Sequence, residues 1–146
     1  LEIRSDMPVL AGSRTYSVDA SGSFGQYLDG IAEADALADG DTALLAQLAQ
    51  NVDYRTNIGV LNTGTQQATV TIDLLDAEGA QLATVDRDLA PGAREQLHEP
   101  FVRFAGLSDL SAAYAAVSVT SGSGVLCYAS VVDNHSNDPT TIPMTR

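Results

Sequence analysis

Apolar and polar residues alternate along much of this chain, in short runs that turn-forming residues interrupt. The clearest run covers residues 68–75, where Val70, Ile72 and Leu74 are separated by polar residues. Alternation with a period of two is typical of a strand with one buried face. The turn sequence that follows, Asp-Ala-Glu-Gly at 76–79, predicts a hairpin into the next run.

The same pattern recurs along the whole chain and predicts an all-β protein. We expect strands at residues 1–4, 9–18, 24–28, 54–62, 68–75, 80–89, 94–99, 113–120 and 125–133. Many short strands separated by turns indicate an antiparallel β-sandwich, Greek-key or immunoglobulin-like in type. A parallel sheet would need several crossover helices, and the sequence offers only one candidate. The two strands around residues 121–124 are expected to form a second hairpin.

Residues 29–53 interrupt the strand pattern, because they are Ala-rich, acidic and poor in β-branched residues. Asp41 or Thr42 could cap a short helix at residues 43–49 that buries its leucines. We therefore expect a long Ala-rich connection that crosses the sandwich and carries a short helix. A helical turn is also expected at residues 101–107, with its two phenylalanines facing inward.

The two ends of the chain resemble each other. Residues 1–28 align without a gap on residues 117–144, and both read as strand, tight turn, strand, polar loop and short strand. The identities are Ser5 with Ser121, Val9 with Val125 and Leu10 with Leu126. We expect one domain over residues 1–146, in which residues 1–28 form an integral half or close a preceding repeat unit. A strand at residues 1–4 could also pair with another chain.

Composition excludes several classes of partner. The net charge is −12, and all seven basic residues are Arg. Such a surface disfavours nucleic acid and anionic membranes. No apolar stretch reaches the roughly 18 residues that a membrane span needs. The single cysteine, Cys127, excludes an intrachain disulfide, and its place in an apolar run predicts a small buried side chain.

Candidate catalytic residues are few, and we expect no enzyme. His98 and His135 are the available bases, but no Gly-x-Ser-x-Gly motif accompanies them. The 19 acidic residues offer no distinct catalytic pair, and the chain lacks Trp for a sugar platform. We expect both histidines to lie in surface loops and to have no catalytic role.

Two clusters contain the oxygen ligands that calcium prefers. The first is Asp133, Asn134, Asn137 and Asp138; the second is Asp29, Asp35, Asp39 and Asp41. The spacing of the first cluster matches no EF-hand loop, and such residues also form turns unaided. We expect turns and no metal or cofactor, with calcium at residues 133–138 as the alternative.

Two further motifs have a functional and a structural interpretation. Arg55-Thr56-Asn57 could face a ligand at a strand end, but we expect Arg55 to pair with a carboxylate. Asn134-His135-Ser136 fits a glycosylation sequon and is expected to be incidental.

Two longer segments resemble a known type of unit. YRTNIGVLNTGTQQATVTIDLLDAEGAQLAT and YASVVDNHSNDPTTIP are similar to tandem β-sandwich units of secreted and cell-surface proteins in GC-rich bacteria. SRTYSVDASGSFGQYL resembles the closing segment of a sister unit. The resemblance implies an immunoglobulin-like or fibronectin-like accessory domain at the cell surface or outside the cell. It implies no enzymatic activity.

Together these features predict a non-catalytic extracellular module. It would act as a structural or adhesive β-sandwich through contacts with neighbouring repeat domains or copies of itself. One alternative is a subunit of a surface filament assembled by strand complementation. Another is a carbohydrate-binding accessory domain, which needs an exposed row of aromatics. The candidates for such a row are Tyr16, Tyr27, Tyr54, Tyr114 and Tyr128.

Overall fold

The computed structural model describes residues 2–20 and 22–146, except for the side chain of Asp19. The strands are β1 (Gly12–Asp19), β2 (Gly22–Asp29), β3 (Leu37–Ala38), β4 (Thr42–Gln50), β5 (Tyr54–Asn62), β6 (Ala68–Asp76), β7 (Gln81–Leu89), β8 (Arg94–His98), β9 (Leu110–Ser121), β10 (Ser123–Asp133) and β11 (Pro139–Pro143). One α-helix, α1, covers Pro100–Ala105, and a 3₁₀ turn covers Glu33–Asp35.

The strands form an antiparallel β-sandwich, which confirms the expected fold class. One sheet has the order β4-β9-β6-β7, and the other has the order β11-β10-β5-β8, with β3 pairing the start of β10. Aliphatic side chains of both sheets, such as Val60 and Ile72, are fully buried between them. The core is aliphatic because the sequence has no Trp and few other aromatic residues.

The hairpin of β6 and β7 and the buried face of β6 agree with the sequence. Val70, Ile72 and Leu74 are fully buried, and the residues between them are half-buried. Asp76 stabilises the turn, because its carboxylate accepts the N–H groups of Glu78 and Ala80. The alternation therefore predicted both the strand and its orientation.

The expected hairpin of β9 and β10 is wrong. β9 pairs with β4 and β6, whereas β10 pairs with β5, β3 and β11 in the opposite sheet. Gly122 and Gly124, with φ of 87° and 84°, let the chain cross between the sheets. Alternation shows that each strand has a buried face, but it does not show in which sheet the strand lies.

The helix expected at residues 43–49 is also wrong, because these residues belong to strand β4. Leu45 and Leu48 are buried, while Leu44 is 44% exposed. The pairing with β9 shifts between Leu45 and Leu48, where Gln47 has a φ of 58°. This bulge changes the spacing of buried residues from two to three, which imitates a helical pattern. The short helical element of the connection is the 3₁₀ turn.

The helical turn after β8 is confirmed, although one of its phenylalanines is not buried. Phe101 is fully buried, but Phe104 is 41% exposed. The guanidinium of Arg87 lies 5.5 Å from the centre of the Phe104 ring. Phe104 therefore contacts a cation at the surface instead of the core.

The amino-terminal region differs most from expectation. Leu1 lies outside the described residues, and residues 2–11 form no strand. β1 and β2 then form a separate two-stranded sheet. The gapless alignment of the two ends does not hold for the strand pairing: the pair Ser13 and Leu28 would place Ala129 opposite Met144, whereas Ala129 pairs with Ile142.

Among the described residues, no helix has the length and apolar character that crossing a membrane requires.

Candidate interaction surface

Exposed apolar side chains are concentrated at the amino-terminal end. Eight of the large ones that are exposed in the described residues lie before position 32, and five lie in the rest. The eight are Ile3, Met7, Val9, Leu10, Tyr16, Val18, Tyr27 and Ile31. Such a concentration is typical of a surface that binds another macromolecule.

The segment at residues 2–11, which we name the arm, is irregular, with a bend at residues 6–7, and its side chains are largely exposed. Ile3, Met7 and Val9 lie at odd-numbered positions, separated by polar residues or Pro, and the neighbouring Leu10 is fully exposed. A segment with this period would present one apolar face if it formed a strand. In the single chain, no strand pairs with the described part of the arm.

The hairpin of β1 and β2 has one open edge. Gly30 donates its N–H to Ala11 O at 2.8 Å, and these two residues continue the β1–β2 register. Gly25, opposite Tyr16, instead donates its N–H away from β1, to Asp138 Oδ1 at 3.1 Å. Opposite residues in an antiparallel ladder alternate between hydrogen-bonded and non-hydrogen-bonded pairs. Because Ala11 belongs to a hydrogen-bonded pair, the odd-numbered residues of β1 bond to β2. The backbone groups of residues 12, 14, 16 and 18 therefore point outward, towards an edge with no neighbouring strand in the described structure.

The side chains at these four positions lie on one face of the hairpin, because alternate residues of a strand project to the same side, and opposite residues in the ladder share that side. Tyr16 is 66% exposed and Val18 is 68% exposed. The Arg14 guanidinium lies 5.7 Å from the centre of the Tyr16 ring. Tyr27, opposite Arg14, has its ring over Gly12, where a β carbon would collide with it. We call this the hairpin face: residues 12, 14, 16, 18 and 27.

The hairpin is attached to the sandwich through side chains. Thr141 Oγ1 of β11 donates to Tyr27 O at 2.6 Å, and Asp138 accepts from Gly25. A cavity of about 330 Å³ lies at this junction. Its lining comprises Tyr27, Leu28, Asp29, Ile31, Cys127, Tyr128, Thr141 and Pro143. A hydrogen bond from the hydroxyl of Tyr27 to Asp29 raises the pKa of Tyr27.

The arm and hairpin carry much less negative charge than the rest of the chain. Residues 1–28 contain two Arg and three acidic residues, a net charge of −1. Residues 29–146 contain five Arg and sixteen acidic residues, a net charge of −11. The arm and hairpin are therefore the part of the chain that another acidic protein can approach with least repulsion.

The candidate calcium loop at residues 133–138 is held together by protein donors. Asp133 Oδ1 accepts the N–H groups of His135 and Ser136, which lowers the pKa of Asp133. Arg55 donates to Asn134 Oδ1 at 2.7 Å and to Asn137 Oδ1 at 3.0 Å. A guanidinium cation thus takes two of the oxygens that calcium would use.

This arrangement corrects the partner expected for Arg55, which binds two amide oxygens instead of a carboxylate. The nitrogen that a glycan would modify in the sequon is also used, because Asn134 Nδ2 donates to Val52 O at 3.1 Å and to Asn51 O at 3.3 Å. The amide of Asn134 is therefore part of the loop structure.

The two histidines do not form a catalytic arrangement in the described residues. His135 Nε2 lies 2.9 Å from Asp53 Oδ1, and this pair raises the pKa of His135. Both side chains are largely exposed, at 72% and 56%. His98 is an exposed residue at the end of β8. An exposed pair of this kind is a surface contact of the loop.

The second acidic cluster stabilises a turn. Asp41 Oδ2 accepts the N–H of Ala38 at 2.9 Å and lies 3.5 Å from Arg146 Nη2. Within the described residues, no three His, Cys, Asp or Glu side chains approach closely enough to bind a metal ion. Another member of this cluster, Asp29, accepts the hydrogen bond from the Tyr27 hydroxyl.

Cys127 is buried as expected, with 1% of its surface exposed, and burial raises its pKa to about 12. The tyrosines are scattered: Tyr16 and Tyr27 share the hairpin face, Tyr54 is exposed on β5, and Tyr114 and Tyr128 are half-buried. Carbohydrate binding stays a prediction.

Comparison with known proteins identifies the fold alone. No protein-family model matches the chain, and no curated protein matches it. The chain is similar to the crystal structure of Thermotoga maritima 1070, at 14% sequence identity and a TM-score of 0.54. The similarity covers 75% of this chain and 93% of that one.

Proposed function

We propose that this protein is a non-catalytic structural module, which binds neighbouring β-sandwich domains or copies of itself through its arm and hairpin. The observation that carries the proposal is the open edge of β1 beside the exposed hairpin face. An isolated two-stranded hairpin is marginally stable in water, so pairing on its free edge stabilises it. Burial of one large apolar side chain adds about 1.5–3 kcal/mol.

The proposed location is the cell surface or the exterior of the cell. It rests on the resemblance of YRTNIGVLNTG and SRTYSVDASGSFGQ to units of bacterial surface proteins. The strongly acidic composition also suits a secreted or cell-surface protein. Fractionation of the producing cells tests it, and a protein found only inside the cell would contradict it.

A photo-crosslinking amino acid at Val18 tests the binding proposal. Val52, which is 81% exposed outside the arm and hairpin, is the matched control position. In producing cells, we expect position 18 to cross-link to another copy or to a β-sandwich domain identified by mass spectrometry. Cross-links of equal yield from both positions, or none from position 18, would contradict the proposal.

Filament assembly is a second candidate function, which the alternating arm favours. Ile3, Met7 and Val9 would supply one apolar face to an open strand edge in the next copy. This function predicts high-mass polymers that become monomers when residues 1–6 are deleted. Sedimentation that shows only monomers at high concentration would exclude it.

A further inference from the structure

We infer that β1 pairs with β1 of a second copy across a two-fold axis, which joins the two hairpins into one four-stranded antiparallel sheet. The inference rests on the proposed function and specifies its partner and register. The outward backbone groups of residues 12, 14, 16 and 18 are the donors and acceptors of this contact. In the single chain they form the free edge of a two-stranded sheet.

One register pairs the whole edge. An isologous contact requires each residue to meet its counterpart reciprocally. Pairing 12 with 18 and 14 with 16 uses all four outward positions on both copies. Any shift along the strand leaves at least one of these positions unpaired. The axis then passes through Thr15, which faces Thr15 of the second copy.

Side chains on the hairpin face are complementary in this register. Arg14 of one copy lies opposite Tyr16 of the other, which repeats across the axis the contact seen within the chain at 5.7 Å. Cation–π contacts strengthen when water is excluded from them. Val18 lies opposite Gly12, beside the Tyr27 ring that covers that glycine. A side chain at position 12 would obstruct both contacts.

Charge favours this place of contact over others. Two chains of net charge −12 repel each other, but most of that charge lies in residues 29–146. The hairpins meet through segments of net charge −1. The contact therefore brings together the least repulsive parts of two acidic molecules.

A cysteine placed on the axis tests the register. Residues opposite each other in a non-hydrogen-bonded pair have Cα atoms roughly 4.5 Å apart, within the range that a disulfide spans. Thr15→Cys should therefore form a covalent dimer under mild oxidation. Ser13→Cys is the matched control, because it lies on the same strand and face but opposite residue 17. Cys127 is buried and should not compete.

A charge on the axis gives a second, independent test by sedimentation. Thr15→Lys would place two ammonium groups side by side, so its dimer dissociation constant should rise about fivefold or more. Ser13→Lys should have little effect, because its ammonium does not meet its own copy. Circular dichroism checks that each variant keeps the fold.

Three outcomes decide the inference. A dimer that Thr15→Cys traps and Thr15→Lys weakens supports it. A dimer in which positions 13 and 15 respond equally overturns this register, while the proposed function stands. A protein that stays monomeric at millimolar concentration overturns the pairing of copies. The cross-linking experiment at Val18 then decides separately whether the hairpin binds a different β-sandwich.

Discussion

The ring of Tyr128 occupies the space that a β carbon on Gly59 would need. The two residues lie directly opposite each other on β10 and β5, and Tyr128 Oη donates to Gln96 Oε1 at 3.2 Å. Gly59→Ala should therefore force the ring aside and lower the free energy of unfolding by about 1–3 kcal/mol. Urea denaturation measures the loss.

A double-mutant cycle provides the control for Gly59. Tyr128→Val removes the ring, so Gly59→Ala should cost much less in that background. Equal costs in both backgrounds would show that the ring is not the cause.

Asn62 connects three backbone segments although its side chain is fully buried. Its Oδ1 accepts the N–H of Gly64, and its Nδ2 donates to Gln66 O at 2.8 Å and Leu89 O at 2.9 Å. Asn62→Asp removes both donors and turns a carboxylate towards two carbonyl oxygens. We expect a loss of roughly 3 kcal/mol in the free energy of unfolding.

Gln66→Ala is the matched control for Asn62, because the exposed side chain of Gln66 is not part of this contact. Its effect should stay within about 0.5 kcal/mol. A comparable loss in both variants, measured by thermal or urea unfolding, would refute the role of the Asn62 amide.

Local pattern predicted the strands well where each strand had a regular buried face. The sequence-based boundaries of β5 agree with the structure, and those of β6 and β7 differ from it by one residue. The bulge at Gln47 was not predictable, because the shifted spacing of Leu45 and Leu48 has the period of a helix. The sheet assignment of β10 depends on the crossing at Gly122 and Gly124, which alternation does not encode.

The sequence predicted the chemistry of the candidate site only in part. The sequence pattern predicted the apolar positions of the arm and of Tyr16 and Val18. It did not predict that these side chains are exposed, because exposure depends on which strands pack against them. The contacts of Arg55 could not be predicted, because its acceptors Asn134 and Asn137 lie about 80 residues away in the sequence. Residue type alone suggested a carboxylate partner, and only the pairing of β5 with β10 brings the amides close.

Arg55 should hold the loop at residues 133–138 without calcium. Arg55→Ala removes two charge-assisted hydrogen bonds, so amides of this loop should exchange with deuterium faster. Arg94→Ala, at an exposed position on the neighbouring strand β8, is the matched control. Unchanged loop exchange in Arg55→Ala, or protection that appears only when calcium is added, would contradict this role.

The pair of His135 and Asp53 should make the loop sensitive to pH. Because Asp53 raises the pKa of His135, the pair stabilises the fold at pH values below the unfolded pKa of His135. This stabilisation disappears as the pH rises through the folded pKa. The backbone N–H groups at Asp133 lower its pKa, so that contribution is present above the unfolded pKa and disappears as the pH falls through the folded value.

Nuclear magnetic resonance titration of His135 measures the first effect. Asp53→Asn should lower the pKa of His135, because the amide offers no charge to the imidazolium. A pKa that does not change between the two proteins would refute the pairing.

Amide hydrogen exchange in β1, measured at low and high protein concentration, tests the role of the open edge most directly. The inward amides of Ser13, Thr15 and Ser17 bond to β2 within the single chain, so they should already be protected in dilute solution. The outward amides of residues 14, 16 and 18 should exchange fast in dilute solution and become protected when copies associate. Outward amides that exchange equally fast at both concentrations, in a sample that sedimentation shows to be associated, would contradict association through this edge.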